Sequence, residues 1–276
     1  MTGTLLVGAF SLSATAAELR SIEVDGTEFR VTLTAGRVLR STELVGATLT
    51  ITTSGGILRL RIDAVERVWE TGHAPVWLHS FSTEMADDSR QALCDAGPDG
   101  RRQGFPLAGR ARSEGAMEPA EPGVFEIVCT SGARGKCVRF GYLPWISAAM
   151  RNIYDACVRM VRADYCGDGA GTTCDGMRID LDDDRGIQQS DSNPTQEFEA
   201  GWTVVGAVCV RHVRVKENTS LEGLAVSCPR LRGPPRRDLH GRTRSRPWRD
   251  IVRPLPAVES AVGGGGCVVT GSLIAN

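Results

Sequence analysis

Apolar and polar residues alternate along residues 21–65. Ile22, Val24, Phe29, Val31 and Leu33 fall at period two around Asp25-Gly26. Leu49 and Ile51 repeat the alternation, and after Ser54-Gly55-Gly56 it resumes at Leu58, Leu60 and Ile62. Alternation punctuated by glycine turns predicts a small antiparallel meander, set here as a region spanning 17–70. The recurrence of Gly26, Gly36 and Gly46 is too short for a solenoid. Further strand-like pieces follow at 74–83, 91–94, 103–112 and 123–129, separated by loops rich in Asp, Gly and Pro. Met177 to Leu181 and Trp202 to Val215 read as later strands.

Between 147 and 164 the period changes. Ile146, Met150, Ile153, Cys157, Met160, Val161 and Asp164 recur every three or four residues, and Arg151, Arg159 and Arg162 fall largely on the other faces. This predicts an amphipathic helix with Ser147 as N-cap and Gly167 ending it in a left-handed conformation. A shorter helix is expected at 133–141, carrying Cys137 and Phe140. The fold class that results is α+β: an antiparallel strand-rich body with one main helix packed on it, stabilised by disulfides.

The nine cysteines decide the compartment more than the charge does. Thirty-two basic residues face 33 acidic ones, so no global field selects nucleic acid or an anionic membrane. The cysteines are dispersed, with no closely spaced pair of the kind zinc sites use. In an oxidising compartment they read as bridges, with Cys94, Cys129, Cys137, Cys157, Cys166, Cys209 and Cys228 as the half-cystines and Cys267 as the spare. At least one bridge is expected between the set Cys129, Cys137 and the set Cys157, Cys166. Residues 1–16 fit export: Thr4 to Leu12 is an apolar run of signal-peptide length, and Ala14-Thr15-Ala16 is a small-x-small cleavage signature. No Lys or Arg precedes the run, and no Cys at the cleavage point supports a lipid anchor. The run is too short to span a bilayer as a helix, and no other stretch is long and apolar enough. An extracytoplasmic location and no transmembrane span are therefore expected. From about 230 the composition shifts to dense arginine with Pro234, Pro235 and Pro247, then four glycines at Gly263 to Gly266. Residues 231–276 are expected to be a disordered or non-native tail.

The run Ala163-Asp164-Tyr165-Cys166 resembles the signature of the bacterial ADYC domain family. The resemblance extends through Lys136-Cys137-Val138, Gly141-Tyr142, Pro144-Trp145 and Ala156 to Met160, and downstream through Asp175-Gly176, Gly186-Ile187-Gln188 and Trp202. Leu58 to Ala64 is similar as well. It covers roughly residues 40–230, and the ADYC-like domain is placed at 71–230. The resemblance implies an extracytoplasmic setting and brings no established activity. The family pattern carries a His near 154 or 155, where this chain has Tyr154-Asp155.

Candidate chemistry centres on the same run. Cys166 is a possible nucleophile, with His79 or His212 as its base, yet the end of a helix raises a thiol pKa, which favours a half-cystine. Asp164 and Asp168 flank it and form a possible acid/base pair, or accept hydrogen bonds in a turn. Asp180, Asp182 and Asp184 alternate before Gly186, with the oxygen density of a calcium loop but without its glycine and glutamate spacing. The arginine run at 230–253 has Trp248 as its only aromatic and lacks a stacking surface for nucleic acid, so no nucleic-acid partner is expected. No cofactor is expected. The functional expectation is a non-enzymatic cell-surface or secreted module binding a surface or extracellular partner. The alternative is a hydrolase or thiol enzyme built on Cys166, Asp164 and Asp168.

Overall fold

Strand β1 (Leu19–Asp25) turns at Gly26-Thr27 into β2 (Glu28–Leu33), which pairs with β3 (Val38–Arg40), and all three are antiparallel. The structure is a computed structural model that describes residues 19–53, 56–69, 74–85, 87, 89–112, 115–118, 121–190, 197–231 and 258–262. The signal-like segment 1–16, His73, His240, Cys267 and the arginine run beyond Leu231 lie outside the described residues.

A 3-10 turn at Ser41–Leu44 leads into a second sheet. It contains β4 (Thr48–Thr53), β5 (Gly56–Val68), β6 (Val76–Glu84), β8 (Gly104–Ala108) and β9 (Phe125–Cys129) in that order, with β7 (Arg90–Ala92) also on β6. The helices α1 (Ala133–Arg139) and α2 (Ala148–Arg162) follow. A third sheet has the order β10 (Ile179–Asp183), β13 (Val258–Val262), β11 (Glu197–Thr203), β12 (Gly206–Val210). A short helix, α3 (Leu221–Ser227), lies between β12 and β13 in the chain. Strand-rich antiparallel sheets with few helices make this an α+β fold.

Two apolar cores result from the pleat of the second sheet, because alternate residues point to opposite faces. Phe81 of β6 joins Phe29, Leu44, Leu60 and Ile62 under the first sheet. Val76 and Leu78 of the same strand face the other way, with Phe105, Val128 and the buried side of α2. α2 is covered on further sides by Ala200 and Trp202 of the third sheet, so every residue from Ile153 to Val161 is buried.

Four expectations are corrected by this packing. The boundary at residue 70 falls inside a sheet, because β5 pairs with β6 across it. Period-two patterning cannot say which strand a strand pairs with, so one meander was expected where two sheets share the segment. Arg159, expected off the apolar face, is nonetheless buried, because α2 has a sheet on more than one side. Helix α2 ends at Arg162 with Ala163 as its left-handed cap (φ 51°), while Gly167, left-handed as well (φ 73°), lies beyond the cap in the turn that follows. Ser147 does cap the helix, accepting a hydrogen bond from the Met150 amide. Within the tail, Val258–Val262 is a strand hydrogen-bonded between β10 and β11, although 231–276 was expected to be structureless. Its alternating VESAV run is too short to stand out beside so much arginine and glycine.

Candidate functional site

Residues Ala163 to Cys166 lie immediately after α2, and each is fixed by a different interaction. Ala163 is the left-handed cap and is fully buried, so only a small side chain fits there. Asp164 is also fully buried. Its carboxylate accepts hydrogen bonds from the amides of Gly167 (2.8 Å), Asp168 (3.2 Å) and Gly169 (3.0 Å), and pairs with Arg159 Nη1 at 2.6 Å. Arg159 in turn donates from Nε to the Val204 carbonyl at 3.3 Å. A buried carboxylate is tolerated only when its oxygens are filled in this way.

Tyr165 stacks on Trp202, with ring centroids 5.0 Å apart. Its hydroxyl donates to Glu199 Oε1 at 2.7 Å and accepts from the Arg214 amide at 2.7 Å. Burial, followed by the charge of Glu199, pushes this phenol far above its usual range. The Arg214 and Glu199 side chains form a second buried ion pair at 3.0 Å. Arg214 also donates to the Met160 and Val161 carbonyls (2.8 and 3.1 Å), closing the C-terminal end of α2.

Cys166 is bridged to Cys228 just after α3, with Cα atoms 5.2 Å apart. Arg230, two residues further on, donates to the carbonyls of Tyr165 (2.6 Å), Val205 (2.7 Å) and Ala207. Gly167 passes against the turn between β11 and β12. Its φ is 73°, and a Cβ there would stand 2.1 Å from the Val205 carbonyl oxygen. The motif is thus a brace holding α2, the β11–β12 hairpin and the Cys228 segment together.

Cys166 is therefore a half-cystine, the reading favoured by its place after a helix, and not the nucleophile of the alternative. A half-cystine holds no thiolate, and the two described histidines are engaged elsewhere. His79 Nε2 lies 2.8 Å from Ser41 Oγ in the first core, and the His212 ring nitrogens face the carbonyls of Val213 and Glu197. Asp164 and Asp168 are not a facing pair either. Asp164 is enclosed by amides and Arg159, while Asp168 is exposed and accepts from the Ala170 amide at 2.9 Å.

The other bridges join Cys94 to Cys129 and Cys137 to Cys157, with Cα separations of 5.4 and 5.9 Å. The second ties α1 to α2 and links one member of each set named from the sequence. Cys174, absent from the expected roster, is also disulfide-bonded. Cys209 stands in β12 outside these three pairs.

Asp180, Asp182 and Asp184 do not converge. Asp180 accepts from Ser190, and Asp184 lies 3.9 Å from Arg185. The carboxylate that organises the turn is Asp183. It accepts from the amides of Arg185, Ile187 and Gln188 and from the Tyr142 hydroxyl at 3.0 Å. Among the described residues no group of three carboxyl, imidazole or thiol side chains is placed to hold a metal ion. None of the described helices is long and apolar enough to cross a membrane.

Beside the brace lies a cleft of about 560 Å³. One wall is α1, where Lys136, Arg139 and Phe140 share a face at i, i+3 and i+4. The others are the end of α2 at Val161 and Arg162, and the segment from Thr173 to Ile179. The spacing of Lys136, Arg139 and Phe140 is present in the sequence, but the far walls, distant in the chain, are not.

The fold and site define a disulfide-bridged α+β domain organised by a buried, charge-paired brace, with a basic-rimmed cleft alongside. The family model of the ADYC domain matches residues 41–216, and the chain belongs to the ADYC domain family. The match begins at Ser41, whose buried hydroxyl accepts from the Phe29 amide and contacts His79, locking the second sheet to the first. No curated protein and no solved structure matches the chain.

Proposed function

We propose that the protein is an exported, non-enzymatic binding module whose ligand enters the cleft between α1, the end of α2 and residues 173–179. The observation that carries this reading is the complete engagement of Asp164, Tyr165 and Cys166 in the fold. Of the polar groups that looked most chemical in the sequence, these three brace the fold, and Asp168 faces outward. A thiol enzyme would need Cys166 as a thiolate, and a carboxylate pair would need Asp164 open to substrate. The cleft has instead the size and mixed lining of a ligand site: an apolar floor with a few charged side chains.

Export is supported by the bridges, which persist in oxidising compartments, and by the small-x-small signature at Ala14 to Ala16. Cell fractionation with N-terminal sequencing and non-reducing peptide mapping tests it. The expected result is an extracytoplasmic protein beginning near Ala17 with Cys94–Cys129, Cys137–Cys157 and Cys166–Cys228 intact. Abundant cytoplasmic protein retaining Met1 with reduced cysteines would overturn it.

A further inference from the structure

The cleft carries an imbalance of charge. Lys136, Arg139, Arg162 and Arg178 line it against only Asp99 and Asp175. Asp99 is already matched, lying 3.4 Å from Arg139. Lys136 and Arg178 have no carboxylate within ion-pair distance among the described residues. The Nε of Arg162 is buried without a hydrogen-bond partner there, although its Nη2 reaches the Gly169 carbonyl. Between these cations the lining is apolar, with Phe140, Val161, Met177 and Ile179. Cations left unmatched around an apolar recess are complementary to a molecule with an apolar body and one anionic end.

We propose that the cleft binds amphiphilic organic anions, small molecules with a hydrocarbon or aryl body and a carboxylate. Lys136 and Arg178 meet the anionic end, and Phe140, Val161 and Ile179 cover the body. This rests on the cleft being the ligand site. The volume suits a ligand of this kind, since small-molecule sites span roughly 300–1,000 Å³. Lys136 and Arg178 act on the head alone, so their charge determines affinity without determining the fold.

The test is calorimetric titration of the full chain with octanoate and, separately, with 1-octanol, alongside backbone NMR shifts. Octanoate is expected to bind and to shift the amides of Lys136 to Phe140 and Met177 to Ile179. 1-Octanol is expected to bind at least ~10-fold more weakly, and the Lys136→Glu/Arg178→Glu double variant to lose at least ~10-fold in octanoate affinity, a factor equal to about 1.4 kcal/mol. An unchanged melting temperature shows that the double variant is folded. Equal binding of octanoate and 1-octanol would overturn the anion reading while leaving the cleft as the site. No binding of either, with no shifts around the cleft, would overturn the cleft reading itself.

Discussion

Arg159 and Asp164 form an ion pair of 2.6 Å across the end of α2, with both side chains almost fully buried. Breaking a buried pair from one side strands the other charge, at about 3–5 kcal/mol. Asp164→Asn is therefore expected to lower the melting temperature by about 6–20 °C, at roughly 2–4 °C per kcal/mol for a domain of this size. Differential scanning calorimetry reads this directly. A shift under about 2 °C would mean the pair is solvated.

The backbone of the brace makes a second prediction. Gly167→Ala places a Cβ 2.1 Å from the Val205 carbonyl at a φ of 73°, and is expected to destabilise by at least about 2 kcal/mol. Ala163→Gly differs in kind. It relieves left-handed strain of about 1–2 kcal/mol and removes one buried methyl worth about 0.8 kcal/mol, so it is expected to be neutral or mildly stabilising. Urea unfolding of both variants separates the two effects.

Two buried groups oppose each other in their response to pH. Asp155 accepts from the Met117 amide on the buried side of α2, and burial pushes its carboxyl from 3.8 up to about 6. Burial pushes the His79 imidazole the other way, from 6.5 down to about 4. Between those limits the folded state holds a proton on Asp155 that the unfolded chain has lost, so its contribution falls as pH rises. Over nearly the same range the unfolded chain holds a proton on His79 that the folded state lacks, so that contribution falls as pH falls. The two slopes nearly cancel. Asp155→Asn removes one of them, and its stability is expected to rise with pH by about 1.4 kcal/mol per unit relative to the parent between pH ~4 and ~6. Equal slopes for parent and variant in urea titrations would contradict this.

The Cys137–Cys157 bridge closes a loop of 20 residues between the two helices. In the chain-entropy account such a loop contributes about 3 kcal/mol. The Cys137→Ser/Cys157→Ser double variant is expected to lose about that much in denaturant unfolding and to keep its α2 helicity, since Ile153, Tyr154 and Met160 remain packed in the core.

The strands and α2 were legible because each buries a face whose period is written in the chain. Strand pairing was not, since β5 reads the same whether β4 alone or both β4 and β6 lie beside it. The brace was half legible. Asp164, Tyr165 and Cys166 stand together in sequence, but Glu199, Arg214 and Cys228, the partners of Tyr165 and Cys166, come from segments 34 or more residues away and carry no local pattern. Arg159 was misplaced for a related reason. An arginine off the apolar stripe of a helix looks solvated until a second sheet covers that flank.

The central claim is that the Ala163 to Cys166 run is a brace and not a reactive centre. Iodoacetamide treatment of the native protein, followed by peptide mass spectrometry without reduction, tests it most directly. Cys166 is predicted to be recovered linked to Cys228 and unalkylated, and recovery of Cys166 as an alkylated thiol in folded protein would contradict the account.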